Sequence, residues 1–411
     1  MFPPSFLPRS NPYPVDLISE PICEPEPVKD TIPKPVIKVL GLGGGGCNAV
    51  ERMIELGLSG IEFMVANTDK QALETYSAPI KIRLGPNITR GLGAGGDPRI
   101  GQVAAEESTH DLASALAGAD MVFLTAGMGG GTGTGAIPVA AEIARQVGAV
   151  TIAIVTTPFS FEMGRRQRNA TDGLALLRGK TNTLIAIPND RLLYVAPRNL
   201  PMETAFRLAD DVLRQAVQGI TELITEPGMI NVDFAHIRRL IQMGGGALMT
   251  IGQGKGENKT SQALEQALHH PLLGNTSLEN AQGIIANFTS GPNLALSEIQ
   301  EALEHLQKET GTETEIVMGV TNDDRIGDRV QIFLVITGLG APTLEDTLSN
   351  LKKAAPQPEA KQEPSLETRS LQIPIADPIQ PQHNYQALEN TYVSQSLDLP
   401  AFLRRRANAA S

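Results

Sequence analysis

The sequence contains no tryptophan and only two cysteines, Cys23 and Cys47, in 411 residues. Two cysteines cannot form the disulfide framework of a small secreted domain. Long apolar runs are missing as well, since none approaches the ~20 residues that a transmembrane helix needs. The first residues lack a basic start followed by an apolar stretch, so no secretory signal is predicted. These absences predict a cytoplasmic protein.

The chain has fewer basic than acidic residues: 34 Lys and Arg and 45 Asp and Glu give a formal net charge of −11. Such a surface repels phosphate backbones, so we expect no nucleic-acid partner. Hydrophobic residues make up 41% of the chain and glycine occupies 40 positions. This composition excludes fibrous and wholly disordered classes, and the length suits about two domains at ~150 residues each.

Proline is sparse in the middle of the chain and concentrated at its ends, with 10 of the 29 prolines in residues 1–35 and 7 in 356–400. Because proline fixes φ and removes a backbone donor, we predict a disordered arm over 1–35 and a disordered linker over 352–395. Apolar and basic residues return together in LDLPAFLRRR. This motif predicts a docking peptide at 396–408, although a random basic terminus is an equal alternative.

The middle of the chain alternates short apolar runs with helical stretches, which is typical of a parallel sheet covered by helices. A long helix is predicted over 205–224, where apolar residues recur at helical spacing. Together these patterns predict a Rossmann-like α/β domain at 36–204, followed by a central helix and a loop through 230. The runs predicted as strands in this domain are 36–40, 62–67, 121–126, 149–157 and 183–189.

The spacing of apolar runs changes after Pro227 and Gly228. Four strand-like runs follow, at 247–252, 283–289, 314–321 and 329–338. They are separated by only two clear helices, near 260–269 and 296–308. This pattern predicts a smaller α+β domain at 231–340, with the boundary within 225–232.

Two glycine clusters each follow a predicted strand and open a helix. The first, GLGGGGCNAV, contains G-x-G-x-x-G at Gly41, Gly43 and Gly46, and the second is AGMGGGTGTG, with Thr132 and Thr134. Glycine-rich backbone N–H groups at a helix N-terminus can bind phosphate. Two such loops in one sheet predict a single nucleotide lying across both. A third glycine run, GLGAGGDPRIG, could wrap the same ligand.

The first loop alone would equally fit a structural turn or a dinucleotide fold. A dinucleotide-dependent oxidoreductase needs an acidic residue about 20 positions after the glycine loop, and Glu62 loosely meets this requirement. This alternative leaves the second loop unexplained. A P-loop is excluded by spacing, because the glycine required before Gly179, Lys180 and Thr181 falls at Leu174. Phosphate charge would therefore be neutralised by backbone amides and a divalent ion such as Mg²⁺, with Arg166 as a further candidate.

In chain order the sequence carries GLGGGGCNAV, EFMVANTD, RGLGAGGDPRIG, AGMGGGTGTGA, FEMGRRQ, IPND, AFRLADDVLRQAVQGI and GMINVDFA. With these motifs it resembles FtsZ, the bacterial and plastid cell-division GTPase family of the tubulin superfamily. The resemblance runs from about Val36 to Gly338 and resumes in the LDLPAFLRRR tail. It implies a parallel-sheet GTPase domain, a long central helix and a smaller α+β C-terminal domain. It also implies GTP and GDP as ligands and a head-to-tail homopolymer that builds the division ring.

Carried over position by position, the resemblance implies three parts of a GTP site. Glu162 would face the ribose, and Arg166 would lie near the sugar and phosphate. Phe206, Asp210 and Asp211 would lie at the guanine, where a carboxylate can accept from N1–H and the exocyclic amine. Plainer alternatives stay open: an exposed helix face for the aspartates, and a surface ion pair for Glu162 and Arg166. The residues implied around the phosphates and the rest of the nucleotide are Gly44, Gly45, Gly46, Cys47, Asn48, Gly130, Gly131, Thr132 and Gly133.

The resemblance also implies that the loop after the central helix supplies catalytic groups to the nucleotide of the next subunit. Asn231 and Asp233 match this pattern, but His236 replaces the second carboxylate of the family. An aspartate would stay ionised and orient water, whereas a protonated imidazole would weaken a nearby metal. We expect slower hydrolysis with GTP binding retained. Two alternatives remain: a tolerated substitution, and a weakly or non-hydrolysing paralogue that copolymerises with an active homologue and regulates it.

The tail motif resembles the family's terminal peptide, which binds membrane-tether and division-regulator proteins. No amphipathic anchor or lipidation motif is apparent, so membrane association is predicted to be indirect. The expected location is the division site, at the inner face of the membrane. The side chains predicted to enter a partner's groove or to attract acidic partners are Leu399, Phe402, Leu403, Arg404, Arg405 and Arg406.

Overall fold

The computed structural model describes residues 35–339, apart from positions 163, 195–199, 227, 231, 244–245, 275 and 280. Ten strands in this part form one sheet. They are β1 Ile37–Leu42, β2 Glu62–Asn67, β3 Ile80–Arg83, β4 Met121–Gly127, β5 Val150–Thr157, β6 Thr183–Pro188, β7 Gly246–Lys255, β8 Gly283–Ser290, β9 Glu315–Asn322 and β10 Arg329–Thr337.

Helices pack against the sheet. They are α1 Gly43–Glu55, α2 Lys70–Thr75, α3 Pro98–Glu107, α4 Thr109–Leu116, α5 Thr132–Gln146, α6 Arg165–Arg178, α7 Asn189–Leu192, α8 Met202–Thr225, α9 Phe234–Gln242, α10 Lys259–Leu268 and α11 Leu296–Thr310. No helix within the described ranges has the length and hydropathy needed to cross a membrane.

The strand order is β3-β2-β1-β4-β5-β6-β7-β10-β8-β9. Every neighbouring pair from β3 to β7 is parallel, β10 is antiparallel to β7 and β8, and β8 is parallel to β9. All eight residues of β5 are buried, because helices cover both faces of a parallel sheet. The predicted Rossmann-like sheet is therefore confirmed. The pairing of Leu184 and Ile185 in β6 with Gly246 and Ala247 in β7 joins its two parts.

All nine predicted strands are present, with ends that differ by at most a few residues. Elements that were not predicted individually include strand β3 and helix α9. Strand β3 has four residues, two of which are Lys81 and Arg83, so it lacks an apolar run. Helix α9 lies where no helix was predicted, and its first N–H groups are capped by Asp233, whose carboxylate accepts from the Ala235 N–H at 3.1 Å. Both are short elements whose stability comes from their neighbours.

The predicted central helix is α8, which has 24 residues and is therefore about 36 Å long. Near its start, Phe206 packs edge-on against Phe159, just beyond the carboxyl end of β5, with ring centroids 5.4 Å apart. The helix that follows it, α9, lies at the amino end of β6, opposite to the carboxyl ends of the strands. There the hydroxyl of Thr183, the first residue of β6, donates to the carbonyl oxygen of Ile241 at 2.8 Å.

The predicted arm, except for its last residue, the linker and the docking peptide lie outside the described residues. Their character stays a prediction, as do the domain boundaries.

The approach of α10 to β7 can be tested at Gly252. A Cβ at this position would lie 1.8 Å from the carbonyl oxygen of Ala263 and 2.7 Å from the backbone nitrogen of Ala267. Backbone atoms cannot rotate away, so we expect Gly252→Ala to lower the free energy of unfolding by about 1–3 kcal/mol. Gly179→Ala is the control in urea unfolding, because a Cβ there meets nothing within 4 Å. Equal stability of the two variants would contradict this packing.

Candidate nucleotide-binding site

A cleft of about 410 Å³ lies at the carboxyl ends of β1, β4 and β5. It brings together most of the residues that the sequence predicted for the nucleotide. Those that line it are Gly44, Gly45, Asn48, Gly130, Gly131, Thr132, Gly133, Glu162, Arg166, Phe206 and Asp210.

Two helices begin at the cleft, α1 at Gly43 and α5 at Thr132. Their first N–H groups have no partner inside the helix and carry partial positive charge, which suits an anion. The loops lie against each other, since a Cβ on Gly43 would come within 2.6 Å of the Gly133 nitrogen. At Gly44 and Gly130, in contrast, a Cβ would meet nothing within 4 Å. These two glycines therefore leave open space at the cleft, as a bound phosphate requires.

The two threonines of the second loop have different environments. The Thr132 hydroxyl lies in the cleft lining, 2.6 Å from the Thr68 hydroxyl. The Thr134 hydroxyl is buried and accepts a hydrogen bond from the Gly129 N–H at 2.8 Å. Thr134 therefore shapes the loop.

Polar acceptors converge at the other end of the cleft. Asp210 enters from α8, and Asn189 follows β6 directly. Asn189 is 5% exposed, and its buried Oδ1 has no hydrogen-bond partner among the described residues. Leaving such an atom unpaired costs about 1–3 kcal/mol, so a ligand with a donor fits here. Sequence reasoning gave Asn189 no role; its position directly after a strand was the available signal.

Glu162 and Arg166 form an ion pair at the lip of the cleft. The Glu162 side chain is 9% exposed and also accepts from the Phe159 N–H at 2.9 Å, whereas the Arg166 side chain is 55% exposed. The acid is therefore held in place, and the guanidinium stays accessible to a ligand. On the first helix, the Asn48 side-chain oxygen accepts from the Tyr76 hydroxyl at 2.9 Å.

The pKa values of the two neighbouring aspartates of α8 are shifted in opposite directions. Burial raises the pKa of Asp210 to about 7, although the charge of Arg52 acts in the other direction. Burial also raises the pKa of Asp211, but hydrogen bonds from Arg214 and Gln215 and the Arg214 charge outweigh it, so that this pKa lies below its ordinary value. Only Asp210 is therefore left without strong partners, facing the cleft.

Three predicted nucleotide contacts are not supported by the geometry. Gly46 packs on β4, where a Cβ would lie 2.2 Å from the Thr125 carbonyl oxygen. The Cys47 thiol is fully buried, 3.5 Å from the carbonyl oxygen of Gly41, and burial raises its pKa to about 12. Asp211 is turned along α8, where it accepts from Arg214 at 2.7 Å. We therefore leave Gly46, Cys47 and Asp211 out of the proposed site.

Two of the three predicted catalytic residues, Asp233 and His236, do not line the cleft. Asn231 lies outside the described residues. Asp233 and His236 are exposed, and the Asp233 carbonyl oxygen accepts from the His236 N–H at 2.9 Å. Helix α8 rises about 22 Å between Asp210, at the cleft, and Thr225, just before the loop. The cleft and this loop are therefore at opposite ends of the helix.

No group of three or more His, Cys, Asp or Glu that could hold a metal ion is present in the described part of the chain. Mg²⁺ in nucleotide sites is usually held by one or two carboxylates, phosphate oxygens and water. It does not need such a group, so Mg²⁺ stays a prediction.

A mostly parallel sheet with two glycine loops at its carboxyl edge and a long helix after it defines a protein of the tubulin and FtsZ class. Residues 36–197 match the model of the Tubulin/FtsZ family, GTPase domain, and residues 245–340 match that of the FtsZ family, C-terminal domain. The chain belongs to the FtsZ family.

Solved structures agree with this assignment. An FtsZ dimer from M. jannaschii is 41% identical, with a TM-score of 0.72 over 75% of this chain and 89% of that chain. A single-substitution mutant of M. jannaschii FtsZ is 42% identical, with a TM-score of 0.71 over 74% and 91%. CetZ2 from Haloferax volcanii shares the fold at 19% identity, with a TM-score of 0.66 over 78% and 97%.

The different pKa values of Asp210 and Asp211 predict opposite effects of their amides on stability. Because the folded-state pKa of Asp210 is raised to about 7, folding retains a proton that the unfolded chain releases near pH 4, and stability falls as pH rises between these values. Asp210→Asn should therefore raise the Tm of the nucleotide-free chain, with a gain that grows from pH 5 to pH 7 and then stays constant.

Asp211→Asn is the matched control, measured by thermal unfolding at pH 5 to 8. Its folded-state pKa is lowered, so the ionised carboxylate stabilises the fold above its unfolded pKa and the amide should lower the Tm at pH 8. A loss of stability for Asp210→Asn at pH 8, or a gain independent of pH, would contradict the environment described for Asp210.

Proposed function

We propose that this chain is a self-assembling GTPase that forms the filament of a cytokinetic ring and hydrolyses GTP between consecutive subunits. The separation of the cleft from Asp233 along α8 is the observation that carries this proposal. Membership of the FtsZ family supports GTP binding and hydrolysis in general. The solved FtsZ relative is a dimer, which supports self-assembly here.

In the proposed complex, phosphate oxygens accept from the N–H groups at the start of α1 and α5, close to Gly44 and Gly130. Arg166 lies near the sugar and phosphates, held by Glu162. Mg²⁺ on the phosphates would neutralise part of their charge. Two helix N-termini, a cation and a guanidinium would together neutralise the negative charge of a triphosphate without a P-loop lysine.

At the base, the Asp210 carboxylate and the unpaired Asn189 oxygen supply acceptors. Guanine offers donors at N1–H and at its exocyclic amine on one edge, whereas adenine N1 is an acceptor. A base that leaves these buried acceptors unpaired binds more weakly. We therefore propose selection of guanine over adenine at this end of the cleft.

In the proposed filament, Asp233 of one subunit reaches the GTP of the next, together with Asn231 and His236. The carboxylate would orient the attacking water, while the phosphate loops hold the transferred group. His236 offers an imidazole where the family has a carboxylate, so positioning of water and cation is weaker. A chain that binds GTP, turns it over very slowly and joins filaments of an active homologue is the second candidate function, favoured by His236 alone.

The predicted ends of the chain extend this proposal. We propose that the motif containing Leu399, Phe402 and Leu403 docks on tether and regulator proteins at the division site, with Arg404, Arg405 and Arg406 adding charge. These residues lie outside the described part of the chain, so only their sequence supports the proposal.

Gly130→Ala tests the phosphate loop. A Cβ at this position meets no protein atom within 4 Å, so the variant should fold with unchanged Tm, but the methyl group would occupy the space of a phosphate. We expect at least a tenfold loss of GTP affinity by equilibrium titration, or about 1.4 kcal/mol. Gly179→Ala, equally open but distant from the cleft, should bind normally. Unchanged affinity in Gly130→Ala would argue against this loop as the phosphate site.

His236→Asp tests the catalytic loop. Restoring a carboxylate that is ionised at pH 7 should raise phosphate release per subunit several-fold, while GTP affinity stays the same. His236→Asn, which restores neither charge nor a base, is the control and should give no gain. A turnover rate of His236→Asp equal to that of the wild type would mean that the substitution is tolerated and that Asp233 carries the catalysis.

A further inference from the structure

A second cavity, of about 330 Å³, lies further along α8, between this helix and the turn that joins α1 to β2. Its volume is at the lower end of the range of small-molecule sites. Leu56, Leu58 and Ile61 line it on the side of the turn, and Thr221, Glu222 and Glu226 on the side of the helix. One wall is therefore apolar and the other polar and acidic.

The hydroxyl of Thr221, a buried residue that lines this cavity, lacks a partner in the described part of the chain. It is 3% exposed, and its hydroxyl oxygen has no hydrogen bond to any described residue. A buried hydroxyl without a partner costs about 1–3 kcal/mol. Because Thr221 lines the cavity, a polar ligand group there would supply the missing bond.

No ion pair joins either carboxylate of the cavity to a cation among the described residues. Neither Glu222 nor Glu226 forms an ion pair with a described residue, and Glu222 accepts a hydrogen bond only from the neutral amide of Gln218. They are four residues apart on α8, so they lie on the same face, with Cβ atoms about 5–6 Å apart. Burial raises the pKa of Glu222, and the charges of Glu226 and Asp323 act in the same direction. The hydrogen bond from Gln218 and the Arg214 charge act against this rise without cancelling it.

The two guanidinium groups of the cavity are already paired. Arg214 donates to Asp211 at 2.7 Å and also to Gln218. Arg325 binds both carboxylate oxygens of Asp323, at 2.9 and 3.0 Å. The unpaired charge of the cavity is therefore negative, and its acidic residues include no group of three that could hold a metal ion among the described residues.

We propose that this cavity binds a small aliphatic diamine, with its ammonium groups on Glu222 and Glu226 and its alkyl chain against Leu56 and Leu58. The Thr221 hydroxyl accepts a hydrogen bond from the ammonium group at Glu222. A diamine fits because the ligand needs two positive charges on one helix face and a short apolar body. The bound ligand would join α8 to the α1–β2 turn and so stabilise the helix that separates the cleft from the catalytic loop.

The test is a calorimetric titration of the nucleotide-free full chain with 1,4-diaminobutane, with 1,4-butanediol as the uncharged analogue. We expect saturable binding of the diamine, a rise in Tm with diamine and no binding of the diol. Glu222→Gln, which keeps the shape but removes the charge, should weaken binding at least tenfold. Thr221→Val, which replaces only the hydroxyl, should weaken it several-fold.

Glu203→Gln is the matched control, because Glu203 is an exposed acid near the other end of α8, and it should bind like the wild type. Equal weakening in Glu203→Gln and Glu222→Gln would mean general charge attraction and would overturn the proposal. The absence of saturable binding to the wild type, or normal binding in both Glu222→Gln and Thr221→Val, would also overturn it. Neither GTP nor assembly enters this experiment, so its result is independent of the proposed GTPase.

Discussion

Helix α8 separates the two halves of the proposed catalytic site, and its rigidity is the constraint on which the other inferences depend. Its inner face is buried along most of its length, including Ala216, Val217 and Ile220, so the helix cannot bend to bring its ends together. Asp210 lies at the cleft near its start, and Asp233 follows its end. In the proposed filament, a second copy placed head to tail brings its own Asp233 to this cleft. Hydrolysis would then depend on assembly through geometry alone.

The cleft itself presents unmet polar groups before any ligand binds. Helix N-termini offer donors at one end, while Asn189 and Asp210 offer acceptors at the other. A guanine nucleotide would satisfy both ends at once, and any ligand that binds only the folded chain stabilises it. Nucleotide binding and fold stability are therefore coupled in this account, chiefly through the buried acceptors near the base.

Sequence reasoning predicted the sheet well, because buried parallel strands need continuous apolar runs that are visible in a single sequence. It also placed the two glycine clusters at the carboxyl ends of the strands, because each cluster directly follows a predicted strand. It was less successful with the direction of single side chains. Neighbouring helical residues point about 100° apart, so Asn48 faces the cleft while Cys47 faces the core. Asn189 was missed because an unpaired oxygen is visible only when all its neighbours are in place.

Phosphate release from GTP with Mg²⁺, measured per subunit over a range of protein concentrations, tests the central claim most directly. If the site is completed by a second copy, the rate per subunit is negligible below a threshold concentration and rises above it. The account predicts such a threshold for the wild type. Asp233→Asn should still bind GTP, but its rate of phosphate release should stay negligible at every protein concentration. A rate per subunit that stays constant down to concentrations at which the chain is a monomer would contradict the account.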